Sequence, residues 1–303
     1  SSCGMYSSII LFFSLSLKCF IIKNPPIKTI INKCKESNIS SAVLYRKSVD
    51  ARRKNDIRFL YSVAARCPKT PDKRLLDRIS ATVLPEPEGT PEGGTNRLLG
   101  RVIVVGFGPC GMFAALELAR AGYRPLVLER GSDVRTRKEK VDRFFETGIL
   151  DTSSNIQFGA GGAGTFSDGK LNTMVKDTSG RIRKVLEIFV KHGAPKEILY
   201  LNKPHIGTDN LRQVVKKIRQ RIIALGGQVH FATKLERLII ENGEIKGVEV
   251  SDKHGDLSQI PCSKVILALG HSARDSFEML HNQGVPMEPK AFSMGVRIEH
   301  LQK

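Results

Sequence analysis

Arg101-Val-Ile-Val-Val105 runs without a break into Gly106-Phe107-Gly108-Pro109-Cys110-Gly111, and the reading of this stretch decides the fold. A continuous β-branched apolar run is the pattern of a strand buried on both faces of a parallel sheet. The G-x-G-x-x-G spacing that follows suits a phosphate-binding strand–turn–helix. Gly106 permits the tight turn, Gly108 lets the backbone approach a pyrophosphate, and Gly111 lets the helix pack close to the strand. Pro109 fits the first helical turn, where its missing N–H costs nothing. Met112 to Ala121 carries apolar residues on a helical period, and Gly122 ends it. A second short strand, Pro125 to Leu128, ends at Glu129, 18 residues beyond Gly111. That is where a carboxylate accepts hydrogen bonds from the ribose hydroxyls of a dinucleotide and repels a 2′-phosphate. FAD or NAD is therefore expected, and NADP is not.

Outward from this unit, the next strand of the same buried character, Lys264 to Leu269 followed by Gly270, comes about 135 residues after Glu129, so a long insertion intervenes. Within it, Asn155 to Lys170 places glycines at 159, 161, 162, 164 and 169, framed by Phe158 and Phe166. Such a loop is expected to turn its N–H groups inward as a nest for phosphate or for the polar edge of a flavin, with Gly161, Gly162 and Gly164 as contacts. Ser167, Asp168 and Lys170 are placed along that edge. Val248 and Val250 follow the Asn242-Gly243 turn in a hairpin.

A first βαβ unit, an insertion, and then an apolar strand ending in A-x-G (Ala268 to Gly270) together resemble flavoproteins of the glutathione reductase type. Gly106 to Gly111 with Glu129-Arg130-Gly131 resembles their FAD fingerprint. The resemblance implies that Phe107, Pro109, Cys110 and Arg130 belong to the cofactor turn and that Ala268 and Gly270 close over the pyrophosphate side. It further implies that Gly226 to Leu235 is the strand meeting the adenine, with Leu235 in contact. A wider set of segments is similar to a family of uncharacterised FAD-dependent dehydrogenases of bacteria and plastid-bearing eukaryotes: Ser48 to Ile57, Phe166 to Lys170, Gly193 to Tyr200, Lys203 to Asp209, Gly270 to Asp275 and Gly295 to His300. The fold expected is α/β, a doubly wound, mostly parallel sheet with helices on both faces. An inserted region and the start of an antiparallel substrate domain from Phe292 complete it. By that resemblance the chain is truncated at its carboxyl end, since no glycine-rich return to the FAD domain follows Gly270. FAD is the expected cofactor, with NAD(P)H as an electron donor and a small molecule as substrate.

The 303 residues are 41% hydrophobic and 26% charged, which excludes disordered, collagen-like and coiled-coil classes. The charge of +18 is uneven: residues 1–70 hold 13 Lys+Arg against 3 acids. Residues 1–38, with an apolar run from Ile9 to Ile22 and a basic stretch to Lys35, read as a cleaved leader to a plastid or other organelle, too short to insert stably in a membrane. Residues 39–83 read as a small α+β element, 84–98 as a Pro/Gly-rich linker, 99–290 as the FAD-binding domain and 291–303 as the start of the substrate domain. Few aromatics and no tryptophan argue against nucleic acid. Cysteines at 3, 19, 34, 67, 110 and 262 form no C-x-x-C pair, so no metal site is expected. His205 and His271, beside glycines or in turn-like segments, are the acid–base candidates. Two other readings stand beside the flavoprotein: an NAD(P)-dependent Rossmann reductase without flavin, disfavoured by the absence of a Tyr-x-x-x-Lys pair, and a non-enzymatic basic binding module.

Overall fold

The computed structural model describes residues 9–18, 41–53, 56–67, 72–78, 81–84, 98, 100–166, 169–171, 177 and 179–291, with positions 295, 296, 298, 300 and 301. The linker residues 85–97, Ser167, Asp168 and most of the strand expected from Phe292 lie outside them.

The first sheet is antiparallel. It is built from β1 (Ile9–Lys18), β2 (Ser41–Asp50), β3 (Arg58–Cys67) and, after the short helix α1 (Lys73–Arg78), β4 (Ala81–Val83), in the order β2-β3-β1-β4. Within the segment 1–38, Ile9–Lys18 pairs residue by residue with β3 from Ile9↔Cys67 to Lys18↔Arg58. Leu15-Ser16-Leu17 alternates with a period of two, a strand pattern as much as a leader pattern. The outer edge of β2 is tied to the insertion: the N–H of Lys47 donates to the carbonyl of Tyr200 at 2.6 Å, and that of Asn202 to the carbonyl of Lys47 at 3.0 Å.

The nucleotide unit follows the linker. β5 (Val102–Val105) leads into α2 (Pro109–Arg120), which returns to β6 (Leu126–Leu128). The insertion comprises α3 (Val134–Thr147), α4 (Arg181–Lys191) and α5 (Thr208–Ala224), which feeds β7 (Gln228–His230). A meander, β8 (Lys234–Glu241), β9 (Glu244–Ser251) and β10 (Leu257–Pro261), precedes β11 (Lys264–Leu267) and α6 (Arg274–Asn282). The parallel sheet has the order β11-β5-β6-β7. Every residue of β5 and β6 is buried, as the uninterrupted apolar runs require. β11 differs from expectation: as an edge strand hydrogen-bonded to β5 it leaves Leu267 38% exposed.

Strand alternation divides the core in two. Val104 and Val127 face Met112, Leu116, Ile218 and Ile222 of α2 and α5. Ile103, Val105, Leu126 and Leu128 face Leu235, Val248 and Val250 of the meander and Leu280 of α6. Burying each such side chain contributes roughly 1.5–3 kcal/mol. The parallel α/β expectation holds: α2 and α5 cover one face, and α6 together with the meander covers the other. The Asn242-Gly243 hairpin is as expected, with φ of 52° and 77° pairing Glu241 opposite Glu244. Among the described residues no helix is long and apolar enough to cross a membrane.

Candidate functional site

The carboxyl ends of β5 and β6 open into a cleft of about 240 Å³. The sharp turn after β5 puts Gly106 at φ 102°, where a Cβ would stand 2.4 Å from the carbonyl oxygen of Ala268. Only glycine satisfies both constraints. At Gly111 a Cβ would fall 1.9 Å from the carbonyl of Gly106, so the close helix–strand contact expected from the spacing is present. Ala268 is small for the same reason. Its own Cβ would lie 3.2 Å from one added at Gly111, and its N–H extends the ladder to the carbonyl of Val105 at 2.8 Å. α2 starts at Pro109 with its amino end at the cleft, so unpaired N–H groups and the positive end of the helix dipole meet there, an arrangement suited to pyrophosphate.

Glu129 is 5% exposed at the tip of β6. One carboxylate oxygen accepts from the N–H of Phe107 at 2.7 Å and the other from that of Gly131 at 2.8 Å. The acid expected to hold ribose thus also braces the fingerprint turn. A carboxylate has about four lone-pair sites, so two remain for ribose hydroxyls. Arg130 forms a two-pronged ion pair with Asp275 of α6 at 3.0 and 2.8 Å, and its guanidinium lies 5.3 Å from the Phe158 ring. Lys234 approaches the same Asp275 at 3.6 Å. This pair joins the tip of β6 to α6 beside the cleft. Asp275 lies inside the first turn of α6, with no side-chain cap at Ala273.

The glycine loop is organised by a side chain that the sequence does not single out. Arg137 of α3 is fully buried, with no exposed surface. Its Nη1 donates to the carbonyls of Gly159, Ala160 and Gly162 at 3.1, 2.8 and 2.9 Å, Nε to that of Asn155 and Nη2 to that of Ile156, both at 2.8 Å. Burial pulls its pKa down to about 10, against the opposing pull of the Glu129 charge. The expected inward nest of N–H groups is therefore not what residues 155–162 form. Their carbonyls converge on a guanidinium, while the N–H of Ala160 goes to Ser132 and that of Gly161 to Phe107. Gly159, at φ 120°, leaves no room for a side chain beside Arg137, since a Cβ would meet its Cδ at 2.6 Å. Arg137 sits in the polar run Arg135-Thr-Arg-Lys-Glu-Lys140, which reads as a solvated face. The one sequence signal is its phase, four residues before the buried Val141.

Most of the sequence-derived cofactor positions converge on the cleft: Gly106, Gly108, Pro109, Cys110, Glu129, Arg130, Gly162, Leu235, Ala268 and Gly270 all line it. Gly161 and Gly164 do not. Gly161 packs against Thr165 and Val215, and Gly164 faces Leu211. Phe107 turns its ring to the other side of the turn, and Gly111 lies beneath it. His271 stands exposed in the cleft wall. His205 is elsewhere, exposed and paired through its backbone with Lys170, because the end of the glycine loop forms a two-stranded bridge with residues 204–206. Thr233 lines the cleft from within the Gly226–Leu235 segment, and Ser276 lines it without having been anticipated.

These features define the class, an α/β nucleotide-binding domain whose cleft lies at the strand ends above a glycine turn. Within that class, residues 100–141 match the family model described as an FAD binding domain. A Clostridium beijerinckii protein described as uncharacterized is 48% identical over 278 residues, which is 90% of this chain and 50% of that protein. Thiamine thiazole synthase of Aeropyrum pernix is 28% identical over 182 residues, 57% of this chain and 55% of that one. The crystal structure of Thermovibrio ammonificans THI4 aligns at 18% identity with a TM-score of 0.39, covering 62% of this chain and 64% of that chain. The chain spans about half the length of the curated relatives it matches.

Proposed function

We propose that the chain is the FAD-binding part of an oxidoreductase that moves a hydride between a small molecule and flavin, with NAD(P)H as electron donor. One observation carries the reading: the amino end of α2 and the Glu129 carboxylate, both within residues 100–141 that match an FAD binding domain, meet the Ala268–Gly270 segment in one cleft. The residues fit the group. Gly108 presents no side chain toward the cleft, the α2 amides suit a pyrophosphate, and Glu129 keeps acceptor sites for ribose.

FAD supplies the hydride chemistry when bound. The chain's own residues bind and orient. Gly106 and Gly111 fix the turn, Leu235 gives an apolar wall, and the Arg130–Asp275 pair holds α6 against the tip of β6. His271, in the cleft wall, is the one candidate of the two histidines placed to exchange a proton there. An organellar destination is also proposed, on the basic, acid-poor amino-terminal composition alone.

The test is the visible spectrum of the purified protein, followed by acid release and identification of the chromophore. Flavin bands with released FAD are expected. A folded, colourless protein that binds NAD and not FAD in a calorimetric titration would replace this reading with the flavin-free reductase.

A further inference from the structure

Behind the fingerprint turn, on the face opposite the cleft, α3 and α5 enclose a second cavity of about 640 Å³. Its apolar wall consists of Phe107, Ala160, Val215 and Phe231, with the rings of Phe107 and Phe231 edge to face at 6.1 Å. Arg212, Lys216 and Arg219 line it from α5 at i, i+4 and i+7, one face of the helix. The acids around it are engaged. Asp133 caps α3, Glu139 pairs with Arg135, Asp142 with Lys138, and Asp209 with Arg212. Lys216 and Arg219 have no acidic partner among the described residues. The Nε atoms of Arg212 and Arg219 are buried and without an acceptor among the described residues, and their guanidinium groups lie over Phe166 and Phe231 at 4.7 and 5.4 Å.

Two cationic side chains that line an apolar cavity without an acidic partner among the described residues suit an anion, and a carboxylate or phosphate is the group whose charge and geometry match them. An apolar wall beside them selects against a bare inorganic ion, because a hydrated ion gains nothing from aromatic surface. We propose that this cavity binds a small organic anion, a compact apolar body bearing one carboxylate or phosphate, with Lys216 and Arg219 holding the charge and Phe107, Val215 and Phe231 the body. The inference does not depend on the identity of the cofactor. It does place the ligand against the ring of Phe107, whose backbone forms the floor of the fingerprint turn, so the two sites share a wall.

Phenyl phosphate and benzoate, titrated into the full chain by calorimetry with inorganic phosphate alongside, distinguish the two head groups. Saturable binding of one aromatic anion, tighter than inorganic phosphate, is expected. Lys216→Glu, at an exposed position that packing tolerates, should weaken it about tenfold or more, and Arg219→Lys should weaken it less. ADP, which occupies a nucleotide cleft, should leave the anion bound. The proposal is overturned if neither anion saturates, if inorganic phosphate binds as tightly, if Lys216→Glu retains wild-type affinity, or if ADP displaces the anion.

Discussion

Two glycine-rich turns pack against each other at the cleft, the N–H of Gly161 donating to the carbonyl of Phe107, yet they are held by different means. The turn at Gly106–Gly111 is fixed by backbone ladders: the N–H of Gly106 donates to Leu128, that of Ala268 to Val105 and that of Met112 to Gly108. Removing any one exposed side chain leaves these bonds in place. The loop at Asn155–Gly162 has no flanking strand, and five of its carbonyls depend on one guanidinium. Glycine content alone does not distinguish the two. What differs is whether the polar backbone groups find partners in regular structure or in one distant side chain.

The sharpest way to break the comparison is Arg137→Met, which strands several buried acceptors. A loss of about 4 kcal/mol is expected in urea denaturation, with amide exchange rising across residues 155–162 well before the fingerprint turn opens. Arg137→Lys should rescue little, because three donors on a point charge cannot serve five carbonyls. Equal exchange in both turns would sink the distinction. Gly106→Ala tests the other turn. Its clash with the Ala268 carbonyl and its positive φ should cost about 2–3 kcal/mol and release nucleotide, while protection of the loop persists in native-state exchange. Glu129→Gln touches both, since Phe107 and Gly131 each donate to its carboxylate. One of those N–H groups would then face an amide NH₂, and thermal melting should show a loss of about 1–2 kcal/mol together with weaker nucleotide binding. Asp275→Asn removes only a partly exposed pair, so a loss of at most about 1 kcal/mol is expected, vanishing in molar salt.

The smallest effect serves as a control lying in neither turn. His192, buried at the end of α4, has its pKa pushed down by burial, partly offset by the bond from its ring nitrogen to the carbonyl of Ile188 and reinforced by nearby Arg120, Lys191 and Arg221. Above the unfolded pKa of about 6.5 both states are neutral and stability is complete. As the pH falls through that value the unfolded chain takes up a proton that the native state resists, so stability declines. His192→Asn should flatten this decline in melts between pH 7 and 5 without altering the contrast between the turns.

The strand–turn–helix–strand unit was legible because its signals are local. Four apolar residues, three glycines at fixed spacing and an acid at the end of the next strand each report on their own neighbourhood. Leu235, Ala268 and Gly270 were legible only through resemblance, since they come from chain far away in sequence, yet they reach the same cleft. Arg137 was not legible, because its charge reads as solvated and its partners are carbonyls, which have no sequence signature. The pairing of Ile9–Lys18 was not legible for a related reason. A ten-residue apolar run with alternating serines satisfies two patterns, and pairing with Arg58–Cys67 is a nonlocal fact. His205 looked equivalent to His271 until the bridge to Lys170 set it outside the cleft.

The edge position of β11 bears on how the chain is made. β5 is complete at Val105, but the strand that covers one of its edges arrives at Lys264–Leu267. At ribosomal speeds of about 5–20 residues per second, that edge waits roughly 10–30 s with its N–H and C=O groups unpaired. Until Ala268 emerges, nothing seals Gly106 and the nucleotide cleft has one wall missing. During synthesis the chain exposes an unprotected β edge, which a chaperone would be expected to shield.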